Sequence, residues 1–86
     1  SVFPNPFSDH SAFEIKTKAA QAVTLSIYNL KGQMVRGWKA QSDASGNLNI
    51  EWDGKDASGN MVNSGVYYYK VTAPNLTRQG KIIRVN

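Results

Sequence analysis

Apolar and polar residues alternate with a period of two in short runs, and that spacing constrains the fold more than any other feature of the chain. Phe13 and Ile15 interleave with Ala12, Glu14 and Lys16; Val23, Leu25 and Ile27 with Thr24, Ser26 and Tyr28; Leu48, Ile50 and Trp52 with Asn47, Asn49, Glu51 and Asp53. Successive side chains of an extended strand point to opposite faces, so each run has one dry face and one wet face. Tyr67, Tyr69 and Val71 repeat the pattern against Tyr68, Lys70 and Thr72. Lys81, Ile83 and Val85 alternate with Ile82 and Arg84, with Lys81 read at the mouth of a buried face, its stem packed and its ammonium in water. Val35 and Trp38, three apart, share a face only if their strand bulges, and Gly37 is the expected place.

Turn chemistry separates the runs at Asn29 to Gly32, Ser42 to Asn47, Asp53 to Asn60, Asn63 to Gly65 and Pro74 to Asn75. Six or seven antiparallel strands in a chain of 86 residues, each dry on one face, pack most economically as two sheets face to face. The expected fold is therefore an all-β antiparallel sandwich spanning 1–86 as one domain, without helices. The pentapeptide Asp43-Ala44-Ser45-Gly46-Asn47 recurs as Asp56-Ala57-Ser58-Gly59-Asn60, which reads as one turn used twice and not as a solenoid period.

Composition narrows the functions this sandwich can have. There is no cysteine and one histidine, so neither a disulfide framework nor a zinc cluster is available, and no cofactor is implied. A net charge of +4 makes an anionic partner plausible, but the ten Lys and Arg are spread along the whole sequence and no run reads as a nucleic-acid patch. No apolar stretch approaches the ~18 residues of a membrane span, and no signal peptide opens the chain. Ser1 stands where a complete protein would begin with methionine, which points to a segment of a longer protein with any export signal upstream.

Three constellations have a chemical and a plain reading. Asp53, Asp56, Ser58 and Asn60 offer oxygen atoms to a hard cation, but Lys55 lies among them, the spacing is not that of an EF-hand, and local backbone capping is the stronger reading. Glu51 and Asp53 share a strand face, the hardware of glycoside hydrolysis, yet that face is the wet one; Ser8, Asp9 and His10 are merely adjacent. No catalytic residue is assigned. Of the aromatic residues, Trp52, Tyr67 and Tyr69 lie on dry faces. Tyr28 and Tyr68 are left on wet faces of different strands as a thin sugar platform.

Five motifs in order give the sequence a familial look: Pro4-Asn5-Pro6-Phe7, Ile27 to Gly32, Trp52-Asp53-Gly54 with Asp56 and Gly59, Ser64-Gly65-Val66-Tyr67, and Lys81 to Val85. Over nearly the full length this order resembles the immunoglobulin-like domain of the flagellar hook-capping protein, and is similar to the C-terminal sorting domains of the type IX secretion system. The resemblance implies a fibronectin III-like immunoglobulin sandwich of about seven strands without catalysis. It further implies a C-terminal module of a larger secreted protein of a Gram-negative bacterium, reaching the surface through the periplasm. Its partners would be the secretion machinery or a cell-surface glycan, a polysaccharide among the candidates, and a parent catalytic domain would lie upstream. By the same resemblance Lys81, Ile82, Ile83, Arg84, Val85 and Asn86 are the segment read in export, exposed at a sheet edge. An accessory carbohydrate-binding domain, a spacer and a hook-cap domain are the alternatives.

The motifs also have local expectations. Pro4 and Pro6 should make the opening segment extended and rigid, with Phe7 packed under the first strand. Gly32 should permit a tight turn, Gly54 and Gly59 should fold the central loop back, and Gly65 should admit the backbone where a side chain would clash. Tyr67 should bury its ring and bond the backbone through its hydroxyl, as in the tyrosine corner of immunoglobulin folds.

Overall fold

The period-two runs become strands. The computed structural model describes all 86 residues and contains β1 (Val2–Phe3), β2 (Ser11–Lys16), β3 (Ala22–Tyr28), β4 (Met34–Gln41), β5 (Asn47–Trp52), β6 (Gly65–Ala73) and β7 (Leu76–Arg84), with no helix. Every strand pairing is antiparallel. One sheet has the order β1-β2-β5 and the other β4-β3-β6-β7, so the chain crosses between sheets at β2–β3, β4–β5 and β5–β6. This is the expected fibronectin III-like immunoglobulin sandwich.

The dry faces meet as predicted. Phe13, Ile15, Ile50 and Trp52 from the first sheet pack on Val23, Leu25, Ile27, Tyr67, Val71 and Ile82 from the second, with Phe7 and Val62 closing the core. Each fully buried side chain of this size contributes about 1.5–3 kcal/mol, which is why alternation decides the fold of a chain without disulfides.

Four expectations change. The two-residue β1 is too short to show a period, and β7 begins at Leu76 instead of near Lys81. The bulge in β4 is real, but Val35 is the extra residue: Ile27 faces Arg36 and Tyr28 faces Met34, which leaves Val35 without a partner while Gly37 sits in register opposite Ser26. Val35 and Trp38 then both reach the core. The faces of β7 are the reverse of those read from the sequence. Ile82 lies opposite Tyr67 and is fully buried, so Lys81, Ile83 and Val85 face away from the core. Apolar residues stand at both 82 and 83, so alternation alone does not choose between them. Finally, the opening segment bends at residues 4–6, and both bonds preceding its prolines are cis. The chain thereby passes from the edge of one sheet to the edge of the other, where Phe7 bridges Arg84 in parallel fashion.

Candidate functional site

The motifs spread from Pro4 to Arg84 converge at one end of the sandwich. Trp52, 0% exposed, has its ring centroid 5.3 Å from Phe7 and 5.8 Å from Tyr67, the latter edge-on at 79°. Its indole N–H donates to the Lys55 carbonyl at 2.9 Å. The Tyr67 hydroxyl donates to the Asn63 carbonyl at 2.7 Å, the backbone bond expected of a tyrosine corner. Burial pushes the Tyr67 phenol up, and the Arg84 charge beside it partly opposes that shift. Arg84 donates through Nη1 to the Val62 carbonyl at 3.0 Å and to Asn86 Oδ1 at 3.4 Å. Gly54 belongs here because a Cβ on it would lie 2.9 Å from Met61 Sδ and 3.3 Å from Arg84 Nε. Gly65, by contrast, has open space where a Cβ would go; its φ of +145°, not a clash, is what asks for glycine.

A second group of contacts fixes the terminal segment. Asn5 Nδ2 donates to the Lys81 carbonyl at 2.9 Å, and Asn5 Oδ1 accepts from the Ile83 N–H at 3.0 Å. The Phe7 N–H donates to the Ile83 carbonyl at 2.9 Å, and the Val85 N–H donates to the Phe7 carbonyl at 2.8 Å. The outer edge of β7 from Lys81 to Val85 is therefore covered by residues 5–7 and is not the free backbone edge expected. The part of β7 left without a strand neighbour on that side is its first half. Of the candidate sorting residues, Ile82 is core and Arg84 is half-buried in the loop contacts above. Lys81, Val85 and Asn86 are exposed, and Ile83 is half-buried on the outer face.

The Asp loops cap backbone. Asp43 Oδ1 accepts from the N–H groups of Ser45 and Asn47 at 2.8 and 2.9 Å, and Asp56 Oδ1 from those of Ser58 and Asn60 at 2.9 and 3.0 Å. Asn29 makes the same pair to Lys31 and Gln33, both at 3.0 Å, so Asn29-Leu30-Lys31-Gly32-Gln33 is a third copy of the turn that its sequence conceals. All three place a glycine of φ +82° to +88° at the fourth position, the three-residue loop with a glycine bulge. Asp53 Oδ1 accepts from the Lys55 N–H at 3.0 Å and pairs with Arg36 Nη1 at 3.1 Å. Burial nudges its carboxyl upward, but the Lys55 bond and the Arg36 bond and charge outweigh this and hold it below the usual carboxylate range. Arg36 also donates to the Lys55 carbonyl and lies 4.9 Å from the Trp38 ring centroid, tying β4 to the loop after β5; no motif marks it. Glu51, Ser8, Asp9 and His10 are all exposed.

The outer face of the four-stranded sheet is a surface the motifs do not reveal. Tyr28 and Tyr68, read as a thin platform on different strands, are direct cross-strand partners. Their row runs Met34–Tyr28–Tyr68–Lys81 across all four strands. The four strands of this sheet carry six basic residues, of which Lys39, Lys70 and Lys81 lie on this face and Arg36, Arg78 and Arg84 at the inward register positions, and not one Asp or Glu. Charges dispersed along the sequence are thus segregated by sheet. The signal was available as cross-strand register, but only to a reader who already knew which strands pair.

The sequence model of the FlgD Ig-like domain matches residues 5–76, from the opening Asn-Pro-Phe through the tyrosine strand β6. The chain belongs to the FlgD Ig-like domain family. Among solved structures, the fold of this domain matches part of dimeric latent PorU from Porphyromonas gingivalis with a TM-score of 0.84 and 23% identity. That match covers 99% of this chain and 9% of that one. PorZ, described as an essential bacterial surface component of the type-IX secretion system of the same organism, matches with a TM-score of 0.68 and 22% identity over 100% of this chain and 11% of its own. FlgD from Xanthomonas campestris, described with hook capping essential for flagellar assembly, matches with 0.69 and 22% over 92% and 58%. The domain thus spans about a tenth of PorU and of PorZ and just over half of that FlgD chain. No curated protein matches it.

Proposed function

We propose that this domain is a non-catalytic sorting and attachment module of a secreted bacterial protein, carried behind a larger upstream domain and read by export machinery of the type IX kind on the way through the periplasm to the cell surface. Recognition falls to Lys81, Ile83, Val85 and Asn86, while Ile82 and Arg84 hold that segment in place. The observation that carries this reading is the clamp by Asn5 and Phe7. It fixes the backbone of Lys81–Val85 and turns Lys81 and Val85 outward, so a partner meets a preformed surface and spends little on ordering it. The appearance of the same sandwich as a small part of PorU and PorZ supports it.

The test is surface delivery of the full-length parent carrying Lys81→Glu with Val85→Asp, both at exposed positions. Retention in the periplasm with an unchanged melting midpoint of the domain is the expected result, and normal surface delivery overturns the proposal. Family membership favours a second reading, a hook-cap domain. Loss of flagellar assembly on deleting the parent gene would select it over sorting.

A further inference from the structure

We infer that the outer face of the four-stranded sheet binds a linear acidic polysaccharide, with its sugar rings on Tyr28 and Tyr68 and its carboxylates at Lys81, Lys70 and Lys39. This goes beyond the sorting reading and does not depend on it. Tyr28 and Tyr68 are paired across neighbouring strands, so their Cβ atoms stand about 5 Å apart and the sheet carries both side chains on the same face. Met34, 61% exposed, extends the row on one side, and Lys81 ends it on the other. Next along the face comes the row Gly37–Ser26–Lys70–Gln79, and then Lys39–Thr24–Thr72–Thr77. With strands about 4.8 Å apart and same-face residues about 6.8 Å apart, Lys81, Lys70 and Lys39 form a diagonal with steps of about 8 Å and 12 Å.

That arrangement decides the ligand class. No Asp or Glu lies on any of the four strands, so the face attracts anions without internal competition. Its charges are sparse, with steps of about 8 Å and 12 Å between lysines, matching a polymer with one carboxylate per sugar or fewer. A nucleic-acid backbone, with a phosphate at every nucleotide, asks for denser positive charge. Hydroxyl and amide side chains at Ser26, Thr24, Thr72 and Gln79 fill the space between the lysines and suit a polyhydroxylated ligand. The face measures about 14 Å across its strand spacings and about 20 Å along β6, roughly 300 Å² in projection.

The experiment is affinity electrophoresis of the 86-residue chain in gels containing alginate, neutral dextran, poly-glutamate or oligo-dT. Retardation by alginate, absent with dextran and weaker with poly-glutamate and oligo-dT, is expected. Tyr68→Ala should weaken alginate binding about tenfold with the melting midpoint retained, and Lys70→Gln with Lys81→Gln should weaken it at low salt. Failure to bind alginate overturns the proposal. So does retardation by poly-glutamate or oligo-dT equal to that by alginate, or alginate binding untouched by Tyr68→Ala, since each would reduce the face to net charge. Because the readout is the isolated chain, its failure leaves the sorting reading unaffected.

Discussion

At the residue scale, identical local sequences do different work because their surroundings differ. Gly46 and Gly59 occupy the same place in the repeated pentapeptide with φ of +84° and +88°. A Cβ on Gly59 meets nothing within 4 Å, whereas one on Gly46 runs into the Thr17 carbonyl. Gly59→Ala should therefore lower stability by about 1–2 kcal/mol, the left-handed penalty alone, and Gly46→Ala by clearly more, read as the difference between two denaturant midpoints. Asp53 gives a pH prediction. Its folded pKa lies below the unfolded value, so its contribution is present above the unfolded pKa of about 3.9 and is lost as pH falls through the folded one. The side chain is 52% exposed, and solvent screening limits the effect to about 1 kcal/mol or less. The stability gap between wild type and Asp53→Asn should thus close on acidification, and a gap constant with pH would contradict the Arg36 pairing.

At the element scale, the opening segment is the device that distinguishes this sandwich from a bare pair of sheets. β1 guards one edge of the first sheet, and residues 5–7 guard the distal half of β7 in the second. Unprotected edges invite pairing with other chains, so the same few residues serve stability and solubility. Asn5→Ala removes both side-chain bonds to Lys81 and Ile83, at about 1–2 kcal/mol. Amide exchange should speed up at Ile83, whose N–H Asn5 accepts, and not at Leu25 in the centre of the sheet. Uniform acceleration would mean that Asn5 acts only on global stability.

At the scale of the whole molecule, the residues that carry the family resemblance are mostly those that build it. Phe7, Trp52, Tyr67 and Ile82 are core, and Asp53, Asp56 and the glycines shape loops. Removing Ile82–Asn86 therefore deletes a fully buried side chain and the pairing with Phe7 together. That truncation should abolish the cooperative melting transition, and an export defect in it would report unfolding, not recognition. A retained transition near the wild-type midpoint would show that the terminal segment is dispensable for the core. The surfaces proposed for partners lie instead on Lys81, Ile83 and Val85 and on the Tyr28–Tyr68 row, which the motifs mark only in part.

Period two, turn residues and the absence of cysteine were enough to determine two antiparallel sheets, the inner faces of β2, β3, β5 and β6, and the capping role of Asp43 and Asp56, because each follows from interactions within a few residues. Tertiary structure alone decided the face of β7, the bulge at Val35, the covering of the Lys81–Val85 edge and the meeting of Tyr28 with Tyr68. These depend on which strands become neighbours and in what register, and neighbours far apart in sequence are chosen by the packing of the whole core. The same holds for charge: six of ten basic residues scattered along a line came together on an acid-free sheet only when the chain folded that line into two layers.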